Sequence, residues 1–220
     1  KPRFAFFQVF QPRGGGKRQA PTFDVITPGV AKHEEEIVLA PGAEPAADPN
    51  LVLRVAVAAA EFGLPIAPGT LRNLKKCPIG DRNWTDESRE LFIRLLASGP
   101  ALLNVWEDID FIDVPGKLIP EWLGVRNRPS ASAAHRYTID RHMVEVVTRL
   151  GRETPSGGRY DDRHYEALLL AGILHDIGKR PGVANHAAEG ARHATVVVER
   201  MGFDRDIVRW VTLLVREHLT

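Results

Sequence analysis

The chain has 220 residues, of which 44% are hydrophobic and 26% are charged, the balance of an ordinary globular protein. Its 29 basic and 28 acidic residues nearly cancel, so no global positive field indicates a nucleic-acid partner, and no apolar run has the length of a membrane span. The single cysteine, Cys77, excludes an internal disulfide and a cysteine-rich zinc site, and it suits a cytoplasmic protein.

Residues 1–47 are rich in Gly, Pro and Ala, a composition that predicts an irregular lead-in. Two β-like runs lie within it, at residues 4–10 and 37–40. The chain also opens without Met. We therefore expect it to be a piece of a longer protein.

Residues 48–130 predict a helical linker. Apolar spacing between Gly and Pro breaks indicates helices within residues 48–65, 67–76, 85–99, 101–110 and 119–129. Thr85, followed by acidic residues, is typical of a helix N-cap. Asp108 and Asp110 follow a helical run in "WEDID", and we interpret them as a solvated helix end.

Four further helices are predicted in residues 131–220. They cover residues 138–150, 162–178, 186–201 and 204–219, with Gly, Pro or Asp at each break. The second of them contains "LLLAGIL", which is apolar nearly all round and predicts a central, buried helix. The whole chain is therefore expected to be mainly α, a helical bundle preceded by a helical linker and an irregular N-terminal segment.

Histidines mark the ends of these four helices: His142, His175, His186 and His218, with Asp176 directly after His175. A single histidine on an apolar face is usually a hydrogen-bonded core residue. A carboxylate at a helix C-terminus, however, opposes the helix dipole, and burying it without a partner is costly. Neutral imidazoles with a carboxylate suit Mn, Fe, Zn or Mg, so the set predicts a metal site.

His218 is placed on the buried face of the last helix by its spacing. Ile207, Val211, Leu214 and His218 recur at intervals of three or four residues, which predicts one core-facing stripe.

Four ordered motifs in this part of the chain resemble the HD phosphohydrolase superfamily. They read "HRYTIDRH", "LHDIGK", "NHAAEGA" and "LVREHL". The resemblance is greatest to the HD domain of the bifunctional uridylyltransferase/uridylyl-removing enzymes, of the actinobacterial type, and it covers residues 28–220. Ile139 stands where that family has Val, Ala187 where it has Ser, and Glu217 where it has His.

The resemblance implies metal-dependent hydrolysis that removes UMP or AMP from a tyrosine of the PII nitrogen-regulatory protein. His142, His175 and Asp176 would hold one divalent cation. His186 and His218 would hold a second, with Asp176 bridging the two.

The resemblance also implies groups on the substrate side of the centre. Lys179 would reach a phosphate oxygen or, alternatively, complement a helix C-terminus. His135 and Arg136 are candidate substrate-binding residues. Residues 131–220 would be the HD domain, with 48–130 as linker and 1–47 as lead-in.

Departures from the family pattern leave two other functions open. The transferase motif, a Gly-Ser loop followed by an Asp-x-Asp pair, is not recognised, and "WEDID" lacks that loop. An acidic ligand that the family places on a later helix is expected to lie outside the chain. The alternatives are a general HD nucleotidase or phosphodiesterase, and a regulatory HD module without activity.

Overall fold

A small antiparallel sheet precedes the helices in the computed structural model, which describes residues 22–79, 84–129, 137–151 and 162–219. Its strand order is β1-β2-β3, and the two connections are short turns in which Gly29 and Glu34 adopt positive φ. The side chains of Val30 and Ile37 are fully buried and pack into the core beside the first helix. The strands are β1, Asp24–Thr27; β2, Val30–His33; and β3, Glu36–Leu39.

The sheet corrects part of the prediction for the lead-in. The β-like run at residues 37–40 corresponds to β3, whereas β1 and β2 were expected to be irregular. Each strand has only four residues, too few for a periodic signal, and the acidic run after His33 forms the tight β2–β3 turn. The β-like run at residues 4–10 lies outside the described residues.

Helices make up most of the described chain, so the predicted mainly α architecture is confirmed. The described helices are α1, Leu51–Phe62; α2, Pro68–Leu74; α3, Asp86–Leu96; α4, Ala101–Phe111; α5, Val114–Leu118; a 3-10 helix, Pro120–Gly124; α6, Ile139–Leu150; α7, Asp162–Leu174; α8, His186–Arg200; and α9, Arg205–Glu217. None of them is long and apolar enough to cross a membrane.

One continuous core runs through the described chain, from Val30 in the sheet to Val215 in α9. Helix α1 packs on α3 and α4, α4 packs on α6, and α7 contacts α6, α8 and α9. Helix α7 is central as predicted, because its residues from Leu169 to Leu174 are all buried. The helix ends at Leu174 rather than at residue 178, so the His-Asp pair lies in the following turn.

Two sequence predictions about individual residues are wrong. Leu214 is 40% exposed, and the buried face of α9 consists of Ile207, Val211 and Val215, spaced four residues apart. Asp110 is not a solvated helix end, because the guanidinium of Arg126 binds both its carboxylate and its backbone carbonyl.

Candidate metal centre

The four histidines and Asp176 meet at one end of the α6–α9 bundle. His142 lies in the first turns of α6, and His175 and Asp176 lie in the turn after α7. His186 is the first residue of α8, and His218 follows the last residue of α9. The sequence predicted these helix ends, and the fold brings all five side chains together.

Gly178 allows the turn after α7 to approach the start of α8 closely. A Cβ atom at this position would lie 2.3 Å from the backbone nitrogen of Gly190 and 2.3 Å from the carbonyl oxygen of His186. Only a residue without a side chain fits against backbone atoms at that distance. The close approach holds Asp176 near His186.

The two oxygens of Asp176 face different sets of imidazoles. Oδ2 lies 3.4 Å from His175 Nε2 and 3.9 Å from His142 Nε2, whereas Oδ1 lies 3.4 Å from His218 Nε2. Two sets of potential ligand atoms result, each with its atoms within 4.8 Å of one another, and Asp176 belongs to both. The sets are His142, His175 and Asp176, and Asp176, His186 and His218.

Backbone carbonyls fix the orientation of two of the imidazole rings. His175 Nδ1 lies 2.8 Å from the carbonyl oxygen of Gly172, and His218 Nδ1 lies 2.6 Å from that of Val215. A carbonyl only accepts, so each Nδ1 carries a hydrogen and each Nε2 is turned to the side facing Asp176. In a neutral ring of this orientation the lone pair lies on Nε2, which is the atom that would bind a metal.

The electrostatics of the centre favour an ionised carboxylate at Asp176 and a neutral imidazole at His186. The side chain of Asp176 is only 1% exposed. Burial alone raises the pKa of Asp176, but hydrogen bonds and positive charge from His175 and Lys179 outweigh it and lower that pKa below its ordinary value. Burial, followed by the charge of Lys179, lowers the pKa of His186.

Several buried atoms of the centre have no hydrogen-bond partner in the described part of the chain: Asp176 Oδ1, His186 Nε2 and His218 Nε2. Leaving such atoms unsatisfied is costly. A divalent cation accepts the lone pairs of imidazole nitrogen and carboxylate oxygen, so the donor set fits one chemically.

Lys179, for which the sequence left both a phosphate contact and a helix C-terminus open, lies inside the centre. Its Nζ is 2.7 Å from Asp176 Oδ2 and forms an ion pair with it. His135 and Arg136, the predicted substrate-binding residues, lie outside the described residues.

An apolar groove borders the centre, a feature that sequence reasoning missed. It has a volume of about 740 Å³, and it is lined by leucines of α7 and α9 together with His142 and His218. Leu213 and Leu214 on its wall are 56% and 40% exposed. The adjacent leucines of α9, Leu213 and Leu214, were the sequence signal for this groove. Helical spacing assigned Leu214 to the buried face instead.

Comparison of the sequence with known proteins finds homologues of the chain. No family model matches the chain. A bifunctional uridylyltransferase/uridylyl-removing enzyme of Streptomyces coelicolor is 39% identical over 210 residues, which cover 94% of this chain and 24% of that protein. The chain is a homologue of these enzymes.

Other bifunctional uridylyltransferase/uridylyl-removing enzymes give the same picture. The protein of Mycobacterium tuberculosis is 38% identical over 192 residues, covering 87% of this chain and 23% of the relative. The protein of Corynebacterium glutamicum is 33% identical over 174 residues, which cover 78% of this chain and 24% of the relative. The chain thus spans about a quarter of the length of these relatives, and the predicted resemblance to them is confirmed.

Proposed function

We propose that this chain carries the uridylyl-removing activity of a bifunctional uridylyltransferase/uridylyl-removing enzyme. The reaction would be metal-dependent hydrolysis of the phosphodiester that joins UMP or AMP to a tyrosine of a PII signal protein. The observation that carries the proposal is the buried carboxylate of Asp176, with imidazole nitrogens of His142, His175 and His218 about its two oxygens. We assign this activity to residues 131–220, with residues 48–130 as linker.

The two ligand sets that share Asp176 fit a pair of divalent cations, and Mn, Mg, Fe and Zn all accept such ligands. When bound, the cations would lower the pKa of a water molecule and neutralise charge on the phosphodiester oxygens. His142, His175 and Asp176 would hold one, and His186 and His218 would hold the other with Asp176.

The protein's own groups prepare the centre for this reaction. The carbonyl oxygens of Gly172 and Val215 keep the Nε2 atoms of His175 and His218 turned inward. The buried carboxylate of Asp176 stays ionised, because its pKa is lowered. These groups need no reorganisation when the substrate arrives, which is the basis of electrostatic preorganisation.

Lys179 is the group best placed to follow the phosphate. Its ammonium lies on Asp176 Oδ2, and its flexible side chain would turn to a phosphodiester oxygen when a cation takes that carboxylate. His135 and Arg136 would contact the nucleotide or the protein substrate. The leaving tyrosine phenolate has a conjugate-acid pKa of about 10, so the reaction needs no strong general acid.

The proposal is tested by comparing the wild-type chain with Asp176→Asn and, as a matched control, Asp206→Asn on the exposed start of α9. Metal content per chain is measured by elemental analysis. Release of UMP and of AMP is measured from PII protein carrying each nucleotide. We expect the wild type and the control to bind metal and release a nucleotide, and Asp176→Asn to lose both.

Two results would contradict the proposal: metal and activity retained in Asp176→Asn, or metal bound by the wild type with free nucleotides hydrolysed and nucleotidyl-PII untouched. The second result would favour the general nucleotidase.

A regulatory module without activity is the second candidate, and one observation favours it. The Lys179 ammonium already neutralises Asp176 without a cation, at 2.7 Å. In that case the wild-type chain would contain no metal and release no nucleotide, while Lys179→Met would unfold at lower denaturant concentration because a buried carboxylate loses its counter-charge.

A further inference from the structure

The linker lies against the turn that carries the His175–Asp176 pair. Its 3-10 helix, Pro120–Gly124, is bound there by Arg180, which follows Asp176 by four residues. A terminal guanidinium nitrogen of Arg180 donates a hydrogen bond of 2.9 Å to the backbone carbonyl oxygen of Glu121. The proposed hydrolysis assigns no role to the linker, although the linker contacts the segment that supports the metal centre.

Gly124 allows the guanidinium of Arg180 to approach the backbone of the 3-10 helix closely. A Cβ atom at Gly124 would lie 2.5 Å from Nε, 2.6 Å from Cζ and 2.7 Å from the hydrogen-bonded terminal nitrogen of Arg180. The Nε atom is itself buried. The guanidinium is therefore packed on the linker backbone, and any side chain at position 124 would displace it.

Arg180 and Asp176 belong to one internally bonded turn. The carbonyl oxygen of Asp176 accepts a hydrogen bond of 2.9 Å from the backbone N–H of Lys179, and that of Gly178 accepts one of 2.8 Å from the N–H of Arg180. The ammonium of Lys179 also binds the carboxylate of Asp176. A hydrogen-bonded unit of this kind carries a displacement of one member to the others.

The end of the same linker segment binds the start of α6. The backbone N–H of Asn127 donates a hydrogen bond of 2.9 Å to Asp140 Oδ2, and the carbonyl oxygen of Arg128 accepts one of 2.9 Å from the N–H of Ile139. His142 follows Asp140 by two residues. Residues 120–128 thus contact both the helix start that carries His142 and the turn after α7.

The two ligand sets depend on this segment to different degrees. The first set combines His142 of α6 with His175 and Asp176 of the turn, the two elements that the linker bridges. The second set combines Asp176 with residues of α8 and α9. Those elements contact the turn and each other directly, through the close approach at Gly178 and the packing of α8 on α9.

We propose that residues 120–128, acting through Arg180, are a positioning element of the candidate metal centre. They hold the start of α6 and the turn after α7 at the separation at which His142 Nε2 lies 3.9 Å from Asp176 Oδ2. Arg180 acts through the turn and is a positioning residue. The effect on a bound cation rests on the proposed function, whereas the effect on the positions of the imidazoles does not.

Gly124→Ala tests this without removing any atom of the centre. The guanidinium of Arg180 ends a flexible side chain, so it should move off the linker while the backbone stays in place. Gly116→Ala is the matched control. Its added Cβ would lie 2.8 Å from a side-chain carbon of Leu123, which is 59% exposed and free to turn aside. Both variants add one methyl group to the linker, and only Gly124→Ala disturbs Arg180.

The first measurement is the imidazole 15N spectrum of the metal-free chain at constant pH, with His142 assigned by its loss in His142→Gln. We expect Gly124→Ala to shift the His142 resonances and Gly116→Ala to leave them as in the wild type. Arg180→Ala should shift them too. Adding Gly124→Ala to Arg180→Ala should change nothing more, because the clashing side chain is gone.

The second measurement is manganese(II) binding by titration calorimetry. The relevant binding event is the one that His142→Gln lacks. Gly124→Ala should raise the Kd of that event by about tenfold, the effect of losing a group that orients a metal ligand, and Gly116→Ala should not change it. A contact that serves stability alone would lower the urea midpoint of Gly124→Ala and leave both the resonances and the Kd unchanged.

The inference is overturned if the His142 resonances of folded Gly124→Ala match those of the wild type. A further shift on adding Gly124→Ala to Arg180→Ala would also overturn it, because the route would not pass through Arg180. If Gly124→Ala does not fold, Arg180→Ala alone decides by the same resonances. A wild-type chain that binds no manganese(II) would count against the proposed function, while the metal-free spectra would still decide this inference.

Discussion

Replacing Gly178 by Ala should both destabilise the protein and weaken the candidate metal centre. The added Cβ would lie 2.3 Å from Gly190 N and from the His186 carbonyl oxygen, and 2.8 Å from Gly190 Cα. All three are backbone atoms, so no side chain can turn aside, and the α7–α8 contact must open. Overpacking of this kind costs about 3 kcal/mol. For a chain of this size that corresponds to a melting temperature lower by about 6–12 °C.

The assay is thermal and urea unfolding of Gly178→Ala beside Gly69→Ala. Gly69 lies in α2, where an added Cβ meets only the end of the Arg72 side chain, at 3.7 Å. Ala has the higher helix propensity, so the control should be as stable as the wild type or more stable, by up to about 1 kcal/mol. A Gly178→Ala protein within about 0.5 kcal/mol of wild type, with unchanged metal content, would refute the reasoning.

Three further substitutions test other parts of the structure. Glu121 is bound by both terminal nitrogens of Arg200, which outweigh burial and lower the pKa of Glu121. Glu121→Gln should lower the free energy of unfolding by about 1–2 kcal/mol at about pH 7, as measured by urea unfolding. The difference from wild type should shrink as the pH falls below about 4.3, where the unfolded chain takes up a proton at Glu121, and vanish below the lowered pKa of Glu121 in the folded chain. Val215→Ala should lower the free energy of unfolding by about 2 kcal/mol, whereas Leu214→Ala should lower it by less than about 1 kcal/mol, because Val215 is 0% exposed and Leu214 is 40% exposed. Equal urea midpoints for the two variants would contradict the observed buried face of α9. Thr85→Ala, which removes the acceptor for the Ser88 N–H, should lower the unfolding free energy by about 1 kcal/mol in the same assay.

The helices and their ends were the part of the fold that sequence could predict. Helix α8 was expected over residues 186–201 and lies at His186–Arg200, because cap residues and Gly or Pro breaks act locally. The convergence of histidines could be inferred for the same reason, since each stood at a helix end. The resemblance to a known family, which relatives at 33–39% identity confirm, supplied the order of the motifs.

The remaining features depend on contacts between distant residues. Asp110 is paired rather than solvated because Arg126 binds it, and the position of Arg126 is set by the turn after the 3-10 helix. The face of α9 depends on how it crosses α7 and α8, which helical spacing alone does not give. The strands β1 and β2 are too short to show alternation. Strand β2 is stabilised by packing against α1, and β1 by pairing with β2. Tertiary packing decides each of these, and local pattern does not.

The five side chains of the candidate metal centre belong to four segments that are far apart along the chain. Cations bound there would act as reversible crosslinks present only in the folded chain, one joining residues 142 and 176 and the other joining residues 176 and 218. At a free concentration 100 times its dissociation constant, each cation would add about 2.7 kcal/mol to stability. Removing the cations with a chelator would then destabilise the whole α6–α9 bundle. The melting temperature of the chain would therefore depend on the free metal concentration, as the proposed activity would.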